Sequence, residues 1–107
     1  MRVRIWLSFD LGLRGDYEGL YEWLDEHDAE ECGDSVAYMH YECDGDGLAS
    51  MEQELRSAIE VTKKTRVYVV WQDRDGKTKG RFIIGRRRSP PWAGSSSSTS
   101  ESAPDES

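Results

Sequence analysis

The sequence predicts an α+β domain: a two-layer α/β sandwich of ferredoxin-like type, in the order βαβαββ, closing with a C-terminal hairpin. Three observations lead there. Residues 2–10 alternate apolar and polar side chains, the pattern of a strand with one buried face. Two later stretches repeat apolar residues at helical spacing. Near the end, two β-rich runs flank Asp73-Arg74-Asp75-Gly76, which is hairpin turn chemistry.

In the first strand Val3, Ile5, Leu7 and Phe9 face one side, and Arg2, Arg4, Trp6, Ser8 and Asp10 the other. Glycines at 12 and 15 then break the pattern, and Asp16 is placed to cap a helix through its carboxylate. Tyr17, Leu20, Tyr21 and Leu24 form that helix's apolar stripe, with Trp23 off it and acidic residues opposite. Residues 35–43 read as a second strand, apolar enough on both faces to be central. Asp44-Gly45-Asp46-Gly47 is a turn, and Ser50 with Gln53 has the pattern of a capping box. Met51, Leu55, Ala58 and Ile59 make the second helix amphipathic, with Glu52–Arg56 and Glu60–Lys64 as i,i+4 pairs. Residues 66–72 are β-branched and aromatic almost throughout, the strongest strand signal in the chain. Residues 79–86 return, with Phe82 and Ile84 sharing one face and Arg81 and Ile83 the other. Two βα units joined by crossovers imply parallel strand pairs, with both helices on one sheet face. The opposite face, carrying Trp6, Arg4, Asp10 and Arg81, is left open to a ligand or a second copy.

The fold is assigned to residues 1–93. Residues 94–107 hold no large apolar side chain to offset the entropy of ordering, and read as a disordered Ser-rich acidic tail. No apolar run is long enough to span a membrane, and the N-terminal alternation is not that of a signal peptide. Cytoplasmic residence, no membrane partner and two reduced thiols, Cys32 and Cys43, are the expectations.

The net charge of −7 is unevenly distributed. Residues 1–60 hold 16 acidic and 4 basic side chains, whereas residues 61–93 hold 2 acidic and 10 basic. Lys77, Lys79, Arg81, Arg86, Arg87 and Arg88, with Lys63, Lys64 and Arg66, give the C-terminal hairpin the chemistry of a phosphate-binding surface. Trp71 or Trp92 is available to stack on a base.

Catalytic and metal motifs are weak. Asp44-Gly45-Asp46-Gly47 resembles the middle of a calcium loop, but Gln53 stands where a bidentate glutamate is needed. His27, Cys32, His40 and Cys43 are zinc-ligand types without finger or ribbon spacing. Asp10 closes the first strand beside a glycine-containing loop, a place where a carboxylate can hold a divalent metal.

The run Trp6-Leu7-Ser8-Phe9-Asp10-Leu11, followed by Gly15-Asp16-Tyr17-Glu18-Gly19-Leu20-Tyr21-Glu22-Trp23-Leu24, resembles the opening of the small CRISPR-associated endoribonucleases and their stand-alone relatives. The resemblance implies a ferredoxin-like homodimer. In the nuclease members the aspartate ending the first strand binds metal at the dimer interface, and Asp10 is the matching position. That family has two strands between its helices, where this sequence shows one clear strand signal.

Together these features point to a small non-catalytic interaction or regulatory module without a cofactor. It is expected to be a homodimer that binds a protein or nucleic-acid partner through the basic hairpin and the open face. The alternatives are a nuclease using Asp10 with Mg or Mn, and an acidic mimic of nucleic acid built on residues 1–60.

Overall fold

In the computed structural model, which describes residues 2–43 and 48–96, the elements follow as β1 (Arg2–Asp10), α1 (Tyr17–Glu26), β2 (Glu30–Glu31), β3 (Val36–Glu42), α2 (Ala49–Ala58), β4 (Arg66–Gln72) and β5 (Thr78–Ile84). The strands form one sheet in the order β2-β3-β1-β4-β5, antiparallel at every pairing. The expected βαβαββ order with parallel neighbours is therefore corrected. A two-residue strand precedes β3, and the chain reverses between them through Gly33 at φ +140°. Cys32 N–H donates to the Val36 carbonyl at 2.9 Å across that reversal. β3 thus enters the sheet opposite in direction to β2 and β1. Each strand-helix-strand crossover leaves a gap that a strand from elsewhere fills, the arrangement of a split βαβ unit. The short β2 escaped notice because two glutamates carry no β signal.

One core lies between the helices and one sheet face. Val3, Ile5, Leu7 and Phe9 of β1, Met39 and Tyr41 of β3, and Val67 and Val69 of β4 pack with Leu20, Trp23, Met51 and Leu55. β1 contributes four of these side chains, as its alternation predicts, and it sits between β3 and β4. α1 is rotated relative to the expected stripe. Trp23 is buried at 4% exposure and Tyr21 is exposed at 53%. The cause is polar: the Trp23 indole N–H donates to Glu54 Oε1 at 3.2 Å, which fixes a large ring between the helices with its nitrogen satisfied.

The N-cap assigned to Asp16 is present, with Oδ1 accepting from Gly19 N–H at 2.9 Å. Oδ2 accepts from Glu60 N–H at 3.0 Å, so the same carboxylate ties the start of α1 to the exit of α2. These two backbone donors, Gly19 first, hold the Asp16 carboxyl below its ordinary 3.8. The capping box at Ser50 does not form. α2 begins at Ala49 with Leu48 as N-cap and no side-chain cap, because the Ser50 hydroxyl bonds to Tyr41 instead. Glu52 and Arg56 pair at 3.1 Å, whereas Glu60 lies beyond the helix. The turn and calcium-loop readings of residues 44–47, and the tail reading from residue 97 on, lie outside the described residues. Neither described helix is long and apolar enough to cross a membrane.

Tyr41 supplies a pH-dependent contribution. Its side chain is 1% exposed; its hydroxyl donates to Glu54 Oε2 at 2.9 Å and lies 3.1 Å from Ser50 Oγ. Burial first, then the neighbouring Glu54 carboxylate, push its pKa up to about 12 against the opposing Ser50 hydrogen bond. Between the unfolded value of 10.0 and that raised value, the folded chain binds more protons than the unfolded one. Stability therefore falls as pH rises through this window, by on the order of 2 kcal/mol. In urea unfolding series across the window, Tyr41→Phe is expected to flatten that slope. An unchanged slope would contradict the assignment.

Candidate nucleic-acid interface

The register of the final hairpin builds the site. Val67 faces Ile84 and Gln72 faces Thr78, so the residues just before β4 lie beside those just after β5. Gly85 makes this junction possible. It has φ +80°, and a Cβ there would sit 2.5 Å from the Thr65 carbonyl oxygen. The chain leaves the sheet at this point and brings Arg86, Arg87 and Arg88 against the loop between α2 and β4. That loop is held by Thr65, whose buried Oγ1 accepts the Thr62 N–H at 2.8 Å, while Thr62 Oγ1 accepts the Lys64 N–H at 3.1 Å. The result is a groove of about 500 Å³ with seven cations in its walls and no carboxylate: Arg56, Lys63, Lys64, Arg66, Arg86, Arg87 and Arg88.

Asp10 lies at the groove's margin. Its Oδ1 accepts the Gly12 N–H at 3.1 Å, its Oδ2 accepts from Arg66 Nη2 at 3.1 Å, and Arg88 Nη2 lies 3.6 Å from the same Oδ2. The Gly12 donor first, and then the Arg66 guanidinium, hold the carboxyl below its ordinary 3.8. This contribution is complete above 3.8 and is lost as pH falls through the lowered folded-state value. Arg66 reaches Asp10 through its outer nitrogen, and its buried Nε has no hydrogen-bond partner among the described residues. A divalent ion at Asp10 would have to compete with two guanidinium groups. The expected effect of Asp10→Asn is therefore tighter binding of a polyanion, by on the order of threefold to tenfold at low salt, as Arg66 and Arg88 are released. A binding and cleavage assay in parallel checks it: loss of metal-dependent cleavage would point to the nuclease role instead.

The uncovered sheet face adjoins this groove. It carries Arg2, Arg4, Trp6 and Ser8 from β1, Tyr38 and His40 from β3, Tyr68 and Val70 from β4, and Phe82 from β5. Trp6 and Tyr38 are register partners with ring centroids 5.1 Å apart. Tyr68 and Phe82 are likewise paired, at 4.9 Å. The Tyr68 ring lies over Gly80, where a Cβ would sit 2.5 Å from Tyr68 Oη and would push the ring aside. A shallow cleft of about 310 Å³ runs among Ser8, Phe9, Asp10, Arg66, Tyr68, Phe82 and Arg87, and shares Arg66 and Arg87 with the groove.

The basic residues expected to act together are divided. Arg86, Arg87 and Arg88 join the loop lysines, whereas Lys77 and Lys79 lie at the far end of the hairpin. There, Asp73 Oδ1 accepts the Lys77 N–H, and Lys79 Nζ pairs with Asp73 Oδ2 at 3.3 Å. Arg81 lies opposite Val69, a core residue, so it projects on the helix side rather than the open face. The irregularity between Val67 and Tyr68 separates Phe82 from Ile84: Phe82 stays with Tyr68 on the open face and Ile84 joins Val67 in the core. Trp92 is 71% exposed, in a turn in which Ala93 N–H donates to the Pro90 carbonyl at 3.0 Å.

Among the described residues, no three His, Cys, Asp or Glu side chains come together as metal ligands. The zinc types are scattered: Cys43 is buried, Cys32 exposed, His40 on the open face and His27 between the helices. Sequence reasoning missed Tyr38, Tyr68 and Phe82 as candidate contact residues. Alternation divides each strand into two faces but does not say which is outward; the register does, since Tyr38 pairs with Trp6, Tyr68 with Ser8 and Phe82 with Tyr68. No protein-family model, no curated protein and no solved structure matches this chain, so the functional argument rests on the site alone.

Proposed function

We propose that the protein is a non-catalytic nucleic-acid-binding module whose contact surface is the basic groove and the adjoining sheet face. One observation carries this reading, the concentration of positive charge at one edge of the domain. α1 holds Glu18, Glu22, Asp25 and Glu26 and no basic residue. The groove where α2 leads into β4 and β5 ends, with Arg56 of α2 itself in its wall, holds seven cations and no carboxylate. A chain of net charge −7 can therefore present a local positive surface to a polyanion. The same asymmetry orients the encounter, because the wrong face repels the ligand.

The β2-β3-β1-β4 part of the sheet, with the β-α-β-β-α-β run that builds it, supports a ferredoxin-like reading extended by β5. Two strands between the helices also fit the pattern of the CRISPR-associated endoribonucleases. For Asp10, the two arginine partners favour a role in shaping the groove over a role as metal ligand.

Titration of the isotopically labelled chain with a short oligonucleotide tests the surface. Amide shifts are expected in residues 62–66 and 85–88 and on the outward positions of β1 and β4. Shifts confined to α1 and α2 would overturn the proposal.

A further inference from the structure

We infer that the ligand is a single strand, with bases stacked on the open sheet face at the Trp6–Tyr38 and Tyr68–Phe82 pairs and phosphates led into the basic groove; this rests on the nucleic-acid reading above. The two aromatic pairs are cross-strand partners on adjacent strands, β3 with β1 and β4 with β5. They are about two strand spacings apart, roughly 10 Å, which leaves room for separate bases. Trp6 is 41% exposed although it packs against Tyr38, so much of the ring meets solvent. Flat rings on an uncovered antiparallel sheet are stacking platforms, and every base has a face to offer them.

The cations on the same face select the occupant. Arg4 pairs in register with His40 and lies two residues from Trp6. The Arg87 guanidinium sits 5.8 Å from the Phe82 ring centroid, and Arg66 lines the cleft beside Tyr68. Covering this face with a second copy would take Arg2, Arg4 and Arg66, with Asp10 and Glu42, out of water. Desolvating charges is costly even where a carboxylate pairs with one of them, as Asp10 does with Arg66. A strand of phosphates and exposed bases supplies charge and ring together. A duplex supplies only the charge, since its base faces are already stacked.

The cleft beside Tyr68 and Phe82 borders the groove, and Arg66 and Arg87 line both. Bases on the sheet are thus followed by a phosphate-binding exit.

The test uses the full chain with labelled oligouridylate, oligothymidylate and a duplex of matching length. Trp6→Leu with Tyr38→Leu is expected to weaken both single strands roughly tenfold to hundredfold while leaving the duplex unchanged. Trp6→Phe with Tyr38→Phe keeps the rings and is expected to retain binding within a few-fold, which separates stacking from a folding defect. Preference for single strands by the unaltered chain completes the expected result. If the leucine variant binds single strands like the unaltered chain, stacking is overturned while the groove reading stands. If light scattering shows that the leucine variant halves the mass without changing affinity, the face is a self-association surface and the inference falls. If the unaltered chain binds none of the three probes, both readings fall.

Discussion

Replacing Arg86, Arg87 and Arg88 together by alanine is expected to weaken oligonucleotide binding and to make it less sensitive to salt, without unfolding the chain. The groove holds seven cations, and these three supply nearly half of them. For single strands the logarithmic salt slope is about −0.7 per neutralised phosphate, so full engagement gives a slope of about −5 and the triple variant about −3. A fourfold rise in salt then costs the unaltered chain about a thousandfold in affinity, but the variant only about fiftyfold. Stability is expected to change little. Arg88 is 65% exposed and its contact with Asp10 is at 3.6 Å, while Arg66 keeps its own 3.1 Å bond to that carboxylate. Exposed pairs of this kind contribute about 0–1 kcal/mol. A variant with an unchanged salt slope would remove the groove from the binding surface. Gly85 should not be altered in the same experiment, since any side chain there meets the Thr65 carbonyl and displaces the arginines by another route.

Gly19→Ala is expected to destabilise the fold, against the local preference of a helix for alanine. Propensity alone favours the substitution by about 1 kcal/mol. Tertiary packing opposes it. A Cβ at position 19 would lie 2.4 Å from the Ala58 carbonyl oxygen and 2.8 Å from Asp16 Oδ2. The first contact is with backbone at the end of α2, which cannot rotate away, so the helices must separate. The second strikes the carboxylate that caps α1 and receives Glu60 N–H. Overpacking of this sort costs about 1–3 kcal/mol before the disrupted cap is considered, and a net loss of about 2 kcal/mol is expected. For a domain of this size that lowers Tm by roughly 10 °C, which a thermal melt followed by circular dichroism reads directly. A raised Tm would mean that α1 and α2 do not approach as closely as the Gly19 contact requires.

Legibility from sequence varied with the kind of signal. β1 and β4 were plain because each packs one face into the core, and burial of one face imposes a period of two. The cap at Asp16 was plain because its partner is three residues away. The burial of Trp23 was not, since it depends on Glu54, which lies thirty-one residues further along. Nor was the strand arrangement, which turns on two glutamates that pair only because β3 is already there to receive them. Much of the candidate site was legible as composition: the arginines at 86–88 and the lysines at 63 and 64 stood out. Their convergence was not, because it comes from the hairpin register and from one left-handed glycine. The division of that basic run is likewise a matter of register, which sends Arg81 to the helix side and Lys79 to Asp73. The aromatic pairs could have been anticipated only with the strand order in hand, since Trp6 and Tyr38 meet across two strands separated in sequence by a helix and by β2.

The central claim is that the groove and open face bind nucleic acid through charge. Its most direct measurement is the affinity of the unaltered full chain for labelled single-stranded RNA and DNA over a series of salt concentrations, with and without Mn²⁺. The predicted result is binding that weakens steeply and linearly in logarithmic salt, without cleavage in either condition. Metal-dependent cleavage would move Asp10 to the centre of the chemistry, and absence of binding at the lowest salt would contradict the claim outright.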